Sequence, residues 1–288
     1  MQFIASRRRL LVLTGAGCST NSGIGDYRDA QGQWKRVQPI THQAFMTSHA
    51  VRQRYWARSQ AGFPEFMQAV PNVAHTILAG WERDGRIAGL ITQNVDRLHQ
   101  RAGQRQVIDL HGRLDRVVCT QCAECLPRVQ IQRWLEAHNT VPHAERYTLA
   151  PDGDADLVDE DFSAVRYPAC PSCGGILKPN VVLFGDNVPR TTVETCYRWV
   201  DGADGLLVIG SSLMVFSGLR FVRRAATAGI EVMAINRGRT RADDLFAGKL
   251  DGDCGVFLQR LDQGLRPMGP AGSGFTTTAV RAGDGPEL

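Results

Sequence analysis

The chain has 288 residues, 43% of them hydrophobic, and a formal charge of +4. That length suits one large domain, or a large one with a small companion. The charge is too small to imply nucleic acid, and no apolar run reaches the ~18 residues of a membrane span.

Arg7-Arg8-Arg9 leads into an apolar segment that stops at Gly15, too short for the ~7–15 apolar residues of an export signal. A cytoplasmic protein is therefore expected. Eight cysteines in such a chain point to metal before disulfides. Leu10-Leu11-Val12-Leu13 reads as a short buried strand running into Gly15-Ala16-Gly17. A turn of this kind offers backbone N–H groups to a dinucleotide pyrophosphate. The fingerprint is incomplete, because Thr20 stands where a third glycine would fall. No Asp or Glu lies between Ala30 and Pro64, where a ribose-binding carboxylate is expected. An ordinary dehydrogenase is disfavoured. Residues 31–64 carry Lys35, Arg36, Arg52, Arg54 and Arg58, and read as a solvated helical surface or as a face for an anionic ligand. A helix is predicted over 72–84, capped by Asn72 and ended by Gly85, with Ala74, Ile77, Leu78 and Trp81 at helical spacing.

Residues 89–96 (Gly-Leu-Ile-Thr-Gln-Asn-Val-Asp) are a second strand followed by a polar cluster, and 107–112 a third that ends at His111. Ligands of open α/β sheets collect at the carboxyl ends of strands. Cys119-x-x-Cys122 and Cys170-x-x-Cys173 then match a structural zinc site of four thiolates. The gap between the pairs, residues 123–169, exceeds the ~15–20 residues of a simple ribbon. It should hold a helix near 131–137 and an acidic loop over 152–161. Apolar runs at 181–184, 205–209 and 230–235 each end in small or polar residues, and 219–228 reads as a helix. This alternation predicts a doubly wound parallel sheet, Rossmann-like, with a smaller zinc-binding domain inserted. The expected division is 1–112 with 180–263 for the sheet, 113–179 for the zinc domain, and a disordered tail from 264 to 288.

Taken together, Gly15-Ala16-Gly17-x-Ser19, Asp26-Tyr27-Arg28, Thr92-Gln93-Asn94-Val95-Asp96, Leu110-His111-Gly112, the two cysteine pairs, Phe184-Gly185-Asp186 and Gly210-Ser211-Ser212 resemble the sirtuins. These are NAD-dependent protein-lysine deacylases. The resemblance spans about residues 5–262. Arg54-Tyr55-Trp56-Ala57-Arg58 and Ala150-Pro151-Asp152-Gly153-Asp154 look like the class II branch that includes mitochondrial sirtuin four.

The resemblance implies that Gly15, Ala16 and Gly17 meet the pyrophosphate, and that Asp26, Tyr27 and Arg28 belong to a mobile cofactor loop. Gln93, Asn94 and Asp96 would hold the nicotinamide ribose and amide. Gly210, Ser211, Ser212, Asn236 and Cys254 would line the adenosine end. His111 would be the general base that lets a ribose hydroxyl attack the acyl intermediate, with Asn94 beside it. An acyl-lysine peptide would lie between Val182–Asp186, including Phe184 and Gly185, and Leu213–Ser217. Tyr55 and Arg58 have the spacing of the pair that recognises acidic acyl groups. Zinc would be one structural ion, and NAD a consumed co-substrate. Gly25 and Tyr27 stand where the family usually has Pro and Phe, and Gly25 removes a φ restraint from the loop. Mono-ADP-ribosyl transfer, a lipoamidase-like activity and a non-catalytic NAD-binding module are the alternatives. Neither nucleic acid nor membrane is an expected partner, and a monomer is favoured.

Overall fold

Strand formation starts from apolar runs too continuous for a one-sided sheet. The computed structural model describes residues 1–35, 39–140, 150–157 and 161–265. The expected tail beyond 265 and residues 158–160 of the acidic run lie outside them. In chain order the first half contains α1 (Gln2–Ala5), β1 (Leu10–Thr14), α2 (His42–Thr47), α3 (His49–Gln68), α4 (Val73–Arg83), β2 (Ile87–Thr92), α5 (Leu98–Arg101) and β3 (Val107–Asp109). Next come β4 (Gly112–Cys119), β5 (Cys125–Pro127), α6 (Arg128–His138) and β6 (Leu177–Val181). The last part holds α7 (Arg190–Asp201), β7 (Gly205–Ile209), α8 (Phe216–Thr227), β8 (Val232–Ile235), β9 (Gly248–Leu250) and α9 (Cys254–Gly264).

The larger sheet has the order β3-β2-β1-β7-β8-β9, and every pairing in it is parallel. Its central strands β1 and β7 are buried along their whole length, as a sheet covered on both faces requires. Alternation along β1 splits the core. Leu11 and Leu13 pack with Trp199, Val200, Leu219 and Phe221 of α7 and α8. Leu10 and Val12 pack with Leu78, Trp81 and Leu258 of α4 and α9. Between β1 and β7 the chain reverses its direction of winding, and that switch point is where a crevice opens. Asn72 caps α4 as expected, its side chain accepting from Ala74 N at 2.9 Å.

The second sheet, β5-β4-β6, is antiparallel. Here one expectation is corrected. The strand read at 181–184 lies at Leu177–Val181 and belongs to this smaller sheet, not to the parallel one. Pro179 argues against a central strand, but β6 is an edge and tolerates it. Its approach to β4 is close: a Cβ on Gly112, whose φ is +80°, would sit 2.2 Å from the Asn180 carbonyl oxygen. A second correction concerns residues 31–64. α3 is not a solvated surface, for Tyr55, Trp56, Phe63 and Phe66 are buried. Tyr55 and Trp56 join Phe45, Val117, Ile131, Leu135 and Leu177 in the core beneath the small sheet.

Candidate active site

A cleft of about 360 Å³ opens at the switch point, between the turn after β1 and the loop after β7. Gly15, Ala16 and Gly17 line one wall, and Gly210, Ser211, Ser212, Asn236 and Arg237 line another. The glycines are forced first by packing: a Cβ on Gly15 would meet Gly210 O and Ser211 Cβ, each at 2.8 Å. Gly17 N–H donates to Gly210 O at 2.8 Å, which ties the two turns together.

The polar cluster after β2 is pinned from the same turn. Gln93 Nε2 donates to Thr14 O (3.1 Å) and Ser211 Oγ (2.7 Å). Asn94 Nδ2 donates to Gly15 O and to Ser19 Oγ, both at 3.0 Å. Ser19 Oγ in turn donates to Asp96 at 2.7 Å, and Asp96 also takes Leu98 N–H at 2.9 Å. Burial raises the Asp96 carboxyl, and these two bonds oppose the rise.

His111 follows β3 and stands in the same cleft. Its Nδ1 lies 2.9 Å from the Gln93 carbonyl oxygen. A carbonyl only accepts, so Nδ1 carries the ring proton and Nε2 presents a lone pair. Ser217 Oγ lies 2.7 Å from Nε2. Burial pushes His111 down to about 4; the Gln93 bond opposes this and Arg220 adds to it. The ring is therefore neutral at pH 7, with no proton on Nε2.

Tyr27 meets the rings of Trp34 and Phe184 edge-on, at 6.2 and 5.9 Å. The Arg28 guanidinium lies 4.0 Å over Trp34 and donates to Gly32 O at 2.7 Å, while Asp26 pairs with Lys35. Val182, Phe184 and Gly185 line the cleft, as do residues Leu213–Ser217. Tyr55 reaches the same cavity from α3. Arg58 does not, lining instead an adjoining pocket of about 30 Å³ with Ala150, Asp152, Asp154 and Asp156. Its Nε donates to Ala155 O at 2.8 Å and its Nη2 to Asp156 Oδ1 at 3.3 Å.

Away from the cleft, the Sγ atoms of Cys119, Cys122, Cys170 and Cys173 lie within 4.8 Å of one another. Cys119 and Cys173 are 3.5 Å apart, Cys122 and Cys170 3.6 Å. A tetrahedron of thiolates at ~2.3 Å from zinc has edges of about 3.8 Å, so the four fit that ion. Cys122 N–H pointing at Cys119 Sγ helps draw that thiol down to about 6.

A Sir2 family model matches residues 15–217. An NAD-dependent protein deacetylase 2 of Bradyrhizobium diazoefficiens is 57% identical over 256 residues, covering 89% of this chain and 94% of that protein. The chain belongs to the Sir2 family. Another relative of this sirtuin is the NAD-dependent protein lipoamidase sirtuin-4, mitochondrial, of Bos taurus, 46% identical over 91% of this chain and 84% of that one. A solved Sir2 bound to acetylated peptide superposes with a TM-score of 0.74 at 30% identity, covering 91% of this chain and 95% of that chain.

The sirtuin cleft gathers the residues singled out in sequence, with two exceptions. Arg58 is held in the side pocket, and Cys254 lies outside the lining, as the buried first residue of α9 with its Sγ 3.7 Å from Ile235 O. Sequence reasoning gave no role to Arg220, Trp34 or the Ser217 side chain, all of which line the cleft. Nothing local marks them. Ser19, two residues after Gly17 in the glycine turn, carried a signal that its links to Asn94 and Asp96 explain.

Cys18, His75 and His99 bring three more donor atoms within 4.8 Å in the sirtuin core. This trio is not arranged as a metal cage. His75 Nδ1 accepts the Asn72 N–H at 3.2 Å in the cap of α4, which leaves the ring proton on Nε2, the atom a metal would need. Burial lowers His75 to about 4 and holds His99 well below its usual value. An unfolded histidine titrates near ~6.5. Below that pH the unfolded chain takes up protons that the folded chain refuses, so this contribution to stability is lost as pH falls from 6.5 toward 4. The shift at His75 corresponds to up to about 3 kcal/mol. Raised carboxyls such as Asp96 and Asp154 act with the opposite sign, so the comparison must be between variants. In urea unfolding, His75→Gln should flatten the loss of stability between pH 6.5 and 4 relative to the parent. Parallel pH profiles would contradict the assignment.

Proposed function

We propose that this sirtuin removes acyl groups from protein lysine side chains, consuming NAD and passing the acyl group to the ADP-ribose that remains. The observation that carries the reading is His111, neutral, with its Nε2 lone pair at the carboxyl end of a parallel sheet and beside Asn94 and Asp96. NAD supplies the chemistry of a ribose carbon that can release nicotinamide and accept the acyl oxygen. The chain supplies position. The glycine turn and the Gly210–Ser212 loop would seat the pyrophosphate and adenosine. Gln93, Asn94 and Asp96, fixed by Ser19 and Ser211, would hold the nicotinamide ribose, and Tyr27 would close over it. An extended peptide would lie between residues 182–186 and 213–217, bound largely through its backbone. His111 would take the ribose proton, and holding the reacting groups in contact lowers the barrier further. The zinc site holds the small sheet together and takes no part in the chemistry. We place the reaction in a reducing cytoplasm, where thiolates remain available to a metal.

The acyl end favours a neutral chain. Arg58 already has a carbonyl and a carboxylate as partners, and Asp152 and Asp154 stand beside Tyr55. Burial, with Asp152 adding, raises the Asp154 carboxyl well above its usual range. A dicarboxylic acyl group would have to displace Asp156 to reach Arg58. Neutral chains, from acetyl to one as long as lipoyl, are the expected substrates. A panel of acetyl-, lipoyl-, succinyl- and glutaryl-lysine peptides tests this by kcat/KM. Asp156→Ala should shift the glutaryl-to-acetyl ratio upward by about tenfold, the worth of one charge-assisted hydrogen bond of ~1.5 kcal/mol. A parent enzyme that prefers glutaryl-lysine, or a ratio unmoved by the substitution, would overturn the neutral-chain reading.

A further inference from the structure

The lone pair that makes His111 a base is already occupied. Nδ1 carries the ring proton because it faces the Gln93 carbonyl oxygen, so Ser217 Oγ, 2.7 Å from Nε2, must be the donor. Ser217 lies in the first turn of α8, and both it and His111 line the cleft. A ribose hydroxyl approaching Nε2 directly would first have to break this bond. A serine hydroxyl, however, can accept one proton while giving up another.

We propose that Ser217 is the link through which His111 acts, its hydroxyl passing the ribose proton to the imidazole. The ribose O–H breaks and its proton bonds to Ser217 Oγ. The former Ser217 proton moves to His111 Nε2, and the ribose oxygen uses the electron pair released to bond to the acyl carbon, whose π pair shared with the lysine nitrogen moves onto that nitrogen. Ser217 ends as it began, His111 ends as imidazolium, and no further reactant is required. The surroundings suit this direction of transfer. The Gln93 carbonyl fixes the ring and can stabilise its positive form through Nδ1–H. Gly218, next in the chain, leaves room for Gln93: a Cβ there would lie 2.6 Å from Gln93 Oε1. The segment bearing Ser217 is thus fitted closely to the residue that orients the histidine.

The inference rests on the deacylase reading, and the test separates the two. The zinc-loaded full chain and its Ser217→Ala and Ser217→Thr variants are compared in two assays with NAD and an acetyl-lysine peptide. One follows exchange of labelled nicotinamide into NAD, which needs only the step before His111 acts. The other follows acetyl-ADP-ribose. In Ser217→Ala, the ratio of acetyl transfer to exchange should fall on the order of 10²-fold, the lower range for loss of acid–base catalysis. Ser217→Thr, which keeps the hydroxyl, should restore most of the rate. In mixed H₂O and D₂O, acetyl transfer by the parent should depend on two moving protons, giving a curved inventory, and the alanine variant on one. Transfer at the parental rate in Ser217→Ala, a parallel fall of exchange and transfer, or a linear inventory in the parent would each overturn the relay. A parent that releases no nicotinamide would overturn the deacylase reading itself, and the relay with it.

Discussion

Replacing His111 by alanine is expected to slow acyl transfer by a factor on the order of 10²–10⁴, the usual worth of a positioned general base. NAD binding should be largely kept. The imidazole touches the protein at the Gln93 carbonyl and the Ser217 hydroxyl, whereas the turn expected to seat the pyrophosphate is held by backbone contacts such as Gly17 N–H to Gly210 O. Nicotinamide exchange should survive the change, because that step needs no proton from the ribose. Calorimetric titration with NAD, run beside the rate assay, distinguishes a lost base from a collapsed cleft. A His111→Ala enzyme that forms acyl-ADP-ribose at the parental rate would remove His111 from the mechanism.

The second large effect is expected at the four-cysteine site. Cys170 is buried, and its Sγ lies 3.6 Å from that of Cys122. Ser in its place removes a soft thiolate from a closed tetrahedral set. Structural zinc is worth about 10 kcal/mol or more in small zinc peptides, comparable with the entire stability of a typical domain of ~5–15 kcal/mol. Cys170→Ser should therefore fall from about one zinc per chain toward none, and the small sheet should open to protease. Its core is shared with Tyr55 and Trp56 of α3, so the acyl end of the cleft should be lost with it. Unchanged zinc content by elemental analysis would rule out the four-thiolate site.

The sequence carried much of this arrangement, and its failures have identifiable causes. Runs buried on both faces, such as Leu10–Leu13 and Gly205–Ile209, are legible because continuous apolar strands have few other uses in a parallel sheet. The strand assigned to 181–184 went astray because Leu183 and Phe184 are apolar for another reason: they line the cleft, and Phe184 packs its ring against Tyr27 and Trp34. The true strand contains Lys178 and Pro179, which an edge accepts and a local reading penalises. Residues 31–64 looked uncompensated because they contain no acid of their own. In the fold, Arg58 finds Asp156, and Arg52 finds the carbonyls of Phe45 and Met46 at 2.8 and 2.9 Å. The Arg58–Asp156 pair joins residues 98 apart in the chain, and that balance is tertiary information. The same holds for the cleft. Glycines, Asn94, Asp96 and His111 stand in motifs, whereas the hydrogen bond from Ser217 to His111 joins residues from different elements and leaves no local pattern.

The most direct measurement uses the zinc-loaded full chain, NAD and an acetyl-lysine peptide, with nicotinamide quantified and products weighed by mass spectrometry. Nicotinamide, free-lysine peptide and acetyl-ADP-ribose should appear together in equal amounts. Absence of nicotinamide across the whole acyl panel, or its release with ADP-ribose left covalently on the peptide or the protein and no acetyl-ADP-ribose formed, would contradict deacylation as the function.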